Sequence, residues 1–405
     1  MIIRITASNG WLIKVGSEPT LVTPSVCLNL GFFLPVFLRY KASLVLRHLW
    51  FLESKACFGR SVVGYAISIY KKVKNMKAIM MTAIGNPDVL ELHDIDEPEI
   101  SSATQIKVRL KAAGVNPVDT KIRRNGLLYD CPLPAVLGCD GAGEVVETGS
   151  AVSQFKPGDK VWFCHGGLGR EQGNYAEYTV LDQRWVGLMP ETCSFAEAAA
   201  LPLVLITAWG GLFDRGGLQS GQTVLIHAGA GGVGHVAIQL AKLTGARVIT
   251  TVSSEQKAEF AKAMGADETI IYTQNGFADA VNKLTEGKGA NLVFDTVGAE
   301  VFKESIAATA HFGRLVTLLD PGELSLAEAR MRNLLIGFEL MLTPMLRDLP
   351  EARDKHVEIL KQCAQWVDNG LLKTHISKRL LLAEAAEAHK LLEAGHMTGK
   401  IVLSV

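Results

Sequence analysis

The sequence has no excess of charge of either sign: 41 lysines and arginines face 41 aspartates and glutamates over 405 residues. A dedicated nucleic-acid binder would carry a basic surplus, so no nucleic-acid partner is expected. Cysteine is sparse, with seven residues and no closely spaced pairs. That excludes a disulfide scaffold and fits a reducing compartment, the cytoplasm. Aromatics make up only 7% of the chain, and the abundance of glycine, alanine and valine suits an α/β enzyme better than an all-β sandwich. Long hydrophobic runs are missing too. The apolar run at residues 26–38 falls short of the roughly 20 needed to span a bilayer, and Asn29, Gly31 and Pro35 break it. What the chain does have is length and a 48% hydrophobic content, enough for two or three domains and a large core.

The balanced total hides two unlike pieces. Residues 1–75 hold 10 basic side chains against Glu18 and Glu53, leaving 31 basic and 39 acidic groups for the rest. This first segment shows no sustained helical or strand period. Three readings of it stay open: a transit peptide directing organelle import, a membrane anchor, or an upstream stretch outside the working protein, whose start would then be Met76. Residues 1–75 are therefore set apart as a non-core extension, and no membrane association is expected of residues 76–405.

From Met76 the pattern is organised. Strand-like segments fall at residues 77–82, 90–93, 105–113, 143–148, 160–163 and 175–180, separated by turns such as Gly85-Asn86-Pro87-Asp88 and Lys156-Pro157-Gly158-Asp159. Many short strands so punctuated predict a partly closed barrel. An Ala-rich helical stretch at 195–201 ends at Pro202. Strands at 223–227, 247–252, 268–272, 292–295 and 313–319 then alternate with helical patterns at 233–243 and 257–264, predicting a doubly wound parallel sheet. The division expected is 76–200 for a barrel lobe, 201–344 for a nucleotide-binding domain and 345–405 for a return to the first lobe.

The strongest chemical signal is Gly229-Ala230-Gly231-Gly232-Val233-Gly234, directly after an apolar strand and at the start of a helix. Gly229 permits a tight turn, Gly231 lets the backbone approach a pyrophosphate, and Gly234 lets helix and strand pack closely. The helix-start amides then bind the anion. The end of the next strand selects the cofactor. An NAD site offers an acid there for the ribose hydroxyls, whereas Thr251-Val252-Ser253-Ser254 has none and Lys257 follows one turn later. Two hydroxyls and an ammonium suit a 2′-phosphate, so NADPH is the expected cofactor. The plainer alternative, that a serine caps the next helix and Lys257 is a solvated charge, is compatible with it.

Five segments together resemble the medium-chain dehydrogenase/reductase superfamily: 112–119 (AAGVNPVD), 137–143 (LGCDGAG), 155–161 (FKPGDKV), 228–234 (AGAGGVG) and 398–403 (TGKIVL). The closest likeness within it is to the zinc-independent quinone oxidoreductases. The resemblance covers residues 76–405 and implies a GroES-like barrel lobe, a Rossmann lobe and a cleft between them. The zinc enzymes of this superfamily carry Cys where Asn116 stands, His-Glu where Cys139-Asp140 stands, and a further Cys within Leu203-Val204-Leu205. A catalytic Zn²⁺ takes three protein ligands; asparagine is a poor one and leucine and valine are none. No metal is expected. Their proton-relaying hydroxyl is replaced by Val118, and Cys164-His165 is all that remains where the structural zinc lobe would be.

The resemblance also implies roles. Asn116 lies near the nicotinamide, Asp119 holds that loop, and Tyr129 stands close enough to be a proton donor, with solvent as the alternative; these are the catalytic candidates. Thr207 approaches the cofactor from the start of the Rossmann lobe, Tyr272 flanks the adenosine phosphate, Val297 lies in the loop along the dinucleotide, and Lys400 faces it from the other lobe. Plainer readings stay open: Asn116 as a turn residue, Asp119 as a local cap, Tyr129 as a packing aromatic. For the acceptor, Trp162, Phe163 and a mobile-looking loop at 164–170 either shape a flat apolar pocket or, for the two aromatics, form barrel core. Residues 331–349 either line the same cleft or form a sixth strand and a subunit contact, relatives being dimers or tetramers. The expected activity is hydride transfer from NADPH to a small, apolar, electrophilic acceptor, a quinone or other activated carbonyl or alkene. The alternatives are a dedicated enone or enoyl reductase, a non-catalytic NADPH-binding structural or RNA-associated protein, and a zinc alcohol dehydrogenase.

Overall fold

The computed structural model describes residues 74–405, apart from residue 275, together with the backbone of three short strands nearer the start, Ile3–Arg4, Trp11–Lys14 and Pro19–Val22. Those three pair antiparallel in sequence order, in a unit (1–72) separate from residues 73–405. Strands of two to four residues are too short to write a period into the sequence, which is why none was read there. The expectation for residues 26–38 lies outside the described residues.

The larger unit opens with strand Asn75–Met81, whose buried residues Met76, Ala78, Ile79 and Met81 face the core. It pairs with Leu90–Asp96 on one side and Ala135–Val136 on the other. A second, seven-stranded sheet is built around the eleven-residue strand Gln105–Val115, which borders Asp140–Thr148, Tyr178–Asp182 and the chain's last strand, Lys400–Ser404. The last strand runs antiparallel to it from Ile401 opposite Val115 to Ser404 opposite Ala112. Nearly three hundred residues of chain thus return to the sheet they left, and Lys400 arrives beside Asn116.

The third sheet has six strands, all parallel, in the spatial order Glu268–Ile271, Arg247–Val252, Thr223–Ile226, Ala290–Asp295, Thr309–Thr317, Leu335–Phe338. This is the 3-2-1-4-5-6 order of a dinucleotide-binding fold, with its crevice where the order reverses. Strands this apolar need both faces covered. Val224, Ile226, Val248, Phe294 and Val316 enter the core shared with the barrel lobe, whereas Leu225, Ile249, Val293 and Leu315 enter a second core on the opposite face. The sixth strand forms the edge, with Leu335 and Phe338 more than half exposed.

Two expectations change. Trp162 and Phe163 are fully buried in the barrel, so they are core and do not line a pocket. The loop after them is held rather than free: Leu128 N–H donates to Leu168 O at 3.0 Å, and Arg170 pairs with Asp348 at 2.8 Å. The return segment also contains a 19-residue helix, Pro350–Asp368, that the sequence pattern did not declare. Its first residue is preceded by Leu349, which offers no side-chain cap, and its buried stripe (Arg353, Val357, Leu360, Cys363, Val367) opens on an arginine. Among the described residues no helix is long and apolar enough to cross a membrane.

Candidate active site

The glycine loop is shaped by close approaches. A Cβ at Gly229 would stand 2.1 Å from Thr250 Oγ1, and one at Gly234 would stand 2.2 Å from the Ala228 carbonyl. Strand, turn and helix could not pack so tightly with side chains at either position. Helix Gly232–Leu243 starts at Gly231 with no side-chain cap, so the amides of Gly232, Val233 and Gly234 stay available to an anion. The turn is also tied to the other lobe: Gly399 N–H donates to Ala230 O at 2.8 Å. A Cβ at Gly232 would lie 3.2 Å from Lys400 Cδ, so this lysine's stem runs across the helix start.

The strand ends around this loop carry the remaining expected cofactor residues. Ser254 caps helix Glu255–Ala263, its hydroxyl accepting from Lys257 N–H at 3.4 Å, while Ser253 and Lys257 are half-buried beside it. The capping role and a phosphate-binding role are compatible. Tyr272 is exposed at the end of the third strand, and Val297 is exposed after the fourth. The Val297 loop is fixed by Asp295, whose Oδ1 accepts from Val297 and Gly298 N–H, both at 2.9 Å, and whose Oδ2 accepts from Thr317 at 2.8 Å. A glycine cradle, an uncapped helix start and an acid-free second strand end fit a dinucleotide bearing a 2′-phosphate.

Beside the loop lies a buried polar cluster. Asn116 precedes helix Pro117–Asn125 and is wholly buried. Its Nδ2 donates to Asp140 Oδ2 at 2.9 Å, and its Oδ1 accepts from Lys400 Nζ. Lys400 also donates to Val115 O at 3.0 Å and stands 3.9 Å from Asp140 Oδ2. Asp140 Oδ1 accepts from Leu203 N–H at 2.9 Å, which ties the barrel strand to helix Pro202–Trp209. Burial raises the Asp140 carboxyl to about 6, with Lys400 and Asn116 pulling the other way. Burial lowers the Lys400 ammonium, and Asp140 opposes that shift. Asp140, which the sequence marks only as standing with Cys139 where the zinc enzymes carry His-Glu, is the member of the cluster with no role expected from the sequence. A carboxylate flanked by buried Cys139 and by Gly141 on a barrel strand was the signal available.

Asp119 lies one helical turn beyond Asn116, also fully buried. It accepts from Asn116 N–H at 2.8 Å and from the Tyr175 hydroxyl at 3.0 Å, and burial raises it to about 7. Its contacts are those of a group that positions Asn116. Tyr129 donates to the Met345 carbonyl at 2.5 Å, and burial raises its hydroxyl above the usual range. Thr207 is buried in its helix with its hydroxyl donating to Leu203 O at 2.7 Å. The structure therefore gathers Asn116, Asp119, Asp140 and Lys400 into one cluster next to Gly229–Gly234, and ties Tyr129 to the segment at residue 345. Among the described residues no three His, Cys, Asp or Glu side chains converge as a metal site.

A parallel sheet with a glycine cradle at its switch point, closed by a strand from a β-barrel, defines a two-lobed dinucleotide-binding protein. Residues 102–191 match the alcohol dehydrogenase GroES-like domain family, and residues 264–403 match the zinc-binding dehydrogenase family. A quinone oxidoreductase of Pseudomonas aeruginosa is 36% identical, covering 81% of this chain and 99% of its own length. An NADPH-dependent alkenal/one oxidoreductase from chloroplasts of Arabidopsis thaliana is 33% identical over 82% of this chain and 80% of its own. The solved structure of the Escherichia coli quinone oxidoreductase complexed with NADPH superposes with a TM-score of 0.73 at 28% identity, covering 81% of this chain and all of that one. The chain belongs to the quinone oxidoreductase family of the medium-chain dehydrogenase/reductase superfamily.

Proposed function

We propose that this chain is an NADPH-dependent reductase that transfers hydride to quinones or activated alkenes without a metal. The observation that carries this reading is the cluster beside the glycine loop. Where a metal-dependent relative needs ligands, Asn116 spends its side-chain atoms on Lys400 and Asp140, Cys139-Asp140 fills the second position, and the third falls in Leu203-Val204-Leu205. With an amide at the first position and only aliphatic groups at the third, one position is left to ligate, short of the three protein ligands a catalytic Zn²⁺ takes. A quinone or an enone needs little Lewis-acid help, because the charge arriving with hydride is delocalised over its own π system.

NADPH supplies that hydride when bound. The chain's own groups hold and orient. The uncapped helix start and Gly229–Gly234 take the pyrophosphate, Ser253, Ser254, Lys257 and Tyr272 the adenosine phosphate, and Thr207, Val297 and Lys400 the rest of the dinucleotide. Asn116, pinned by Asp119, Asp140 and Lys400, offers a fixed amide at the nicotinamide end; preorganisation of this kind is the protein's main contribution to hydride transfer. The Tyr129 hydroxyl stays protonated at neutral pH but is committed to Met345 O, so solvent is the simpler source of the proton that completes the reduction.

Residues 76–200 and 345–405 then form the catalytic lobe, 201–344 the NADP(H) domain, and 1–75 a non-core extension. We place the protein in the cytoplasm as a dimer or tetramer, with no nucleic-acid partner for a core of 31 basic and 39 acidic residues. Anaerobic NADPH oxidation by the purified protein tests the reading against quinones, enones and simple aldehydes, with NADH as the paired control. Turnover of quinones or enones that favours NADPH is expected. Turnover of aldehydes alone, or activity lost on chelating a stoichiometric zinc, would overturn it.

A further inference from the structure

Arg353 lies on the inner face of helix Pro350–Asp368 and is more than nine-tenths buried. Its guanidinium stacks 4.2 Å above the Trp185 ring and donates from Nη2 to His165 Nδ1. An imidazole that accepts there is neutral, and burial together with Arg353 holds His165 down to about 3. The nearest carboxylate oxygen, Glu171 Oε2, stands 4.0 Å from Nη1 on a side chain that is 44% exposed. One hydrogen bond to a neutral partner leaves most of the five guanidinium N–H groups without a protein acceptor among the described residues. Buried charges are normally paired and hydrogen-bonded; this one is neither in full.

The same guanidinium lines a cavity of about 10 Å³ together with Ile206, Val357 and Leu360. His356 lines it too, and its buried Nδ1 has no hydrogen-bond partner. Cys164, also on its wall, sits opposite Asp140 in the barrel ladder, and Ile206 immediately precedes Thr207. The cavity therefore adjoins the cluster assigned to the nicotinamide end. Its size admits one water-sized group, an anionic oxygen but not an acceptor's whole ring.

We propose that Arg353, with His356 beside it, forms an anion subsite that anchors a carboxylate carried by the electron acceptor. The apolar body would stay outside the cavity, on the cofactor side, while a carboxylate oxygen takes the N–H groups that the protein leaves open, a charge-assisted contact suited to the guanidinium fork. The acceptors favoured are quinones or enones bearing an acid group. This rests on the reductase reading for what is reduced, but the anion site can be tested without turnover.

Calorimetric titration of the full-length protein, saturated with NADPH, with benzoate and with benzamide separates charge from shape. Benzoate is expected to bind at least tenfold more tightly. Arg353→Met should abolish that difference, and Arg353→Lys should keep part of it, since the charge survives without the fork. Steady-state kinetics of a carboxylated benzoquinone and its methyl ester should show the same preference, expressed in KM. Equal binding of benzoate and benzamide, or a preference that survives in Arg353→Met, would overturn the proposal and leave the cavity to a bridging water. Charge-selective binding through Arg353 in a protein that reduces no quinone and no enone would support the subsite and sink the reductase reading instead.

Discussion

At the scale of the residue, the centre of the molecule is a lysine whose charge is buried. Lys400 is 4% exposed and its counter-charge, Asp140, is 3.9 Å away with an asparagine hydrogen-bonded to both. Removing one member of such a pair leaves the other unpaired in a low-dielectric setting, at a cost of about 3 kcal/mol. Lys400→Met is therefore expected to lower stability by about that amount in urea unfolding, and Asp140→Asn in the same background to restore part of it. Strictly additive losses across this double-mutant cycle would mean that the two charges are not coupled. The sequence displayed Asn116 and Lys400 separately, each through a short motif, but not their contact, which spans 284 positions. Arg353 carried no signal at all: a lone arginine in a charged helix looks like surface, and only the packing of that helix under Trp185 makes it interior.

At the scale of the element, what could be read followed from period and punctuation. The five buried strands and their glycine loop stand out because a parallel strand is an unbroken apolar run and the loop follows one directly. The helix Pro350–Asp368 was obscured by its charged outer face and by the missing cap. The sixth strand, Leu335–Phe338, was visible only as a Leu- and Met-rich stretch open to two interpretations, and pairing with Thr309–Thr317 decides for a strand. Its outer edge has no partner among the described residues, and Leu335 and Phe338 are 61% and 58% exposed. Open apolar edges invite pairing with a second copy, and a lysine on the edge opposes it. Phe338→Lys should convert the proposed dimer or tetramer to a particle of the 43.7 kDa chain mass in light scattering, with NADPH affinity retained. A wild-type chain that already runs as a monomer would remove this strand as an interface.

At the scale of the whole molecule, the buried titratable groups set how stability responds to acid. Burial holds five histidines neutral: His165 and His389 to about 3, and His227, His235 and His356 to about 4. Each has a folded pKa below its unfolded value, so its contribution is intact above about pH 6.5 and is lost as pH falls toward 4, where the unfolded chain takes up protons that the fold refuses. Asp140 and Asp119 act in the opposite sense. Their folded values of about 6 and about 7 lie above the ordinary 3.8, so their contribution is intact below pH 4 and fades as pH rises through the folded values. Glu339, raised by burial to about 7, acts with them, so near pH 5 the histidines outnumber these carboxyls five to three, and unfolding binds protons on balance. Each unbalanced proton changes stability by about 1.4 kcal/mol per pH unit. The melting temperature should therefore drop steeply between pH 6.5 and 4.5, and replacing His227, whose ring bridges Thr251 and Ser305 behind the glycine loop, with glutamine should make that drop shallower. A melting temperature that is flat or rises over the same interval would mean that these histidines titrate in the folded protein, and that its interior is wetter than its packing indicates.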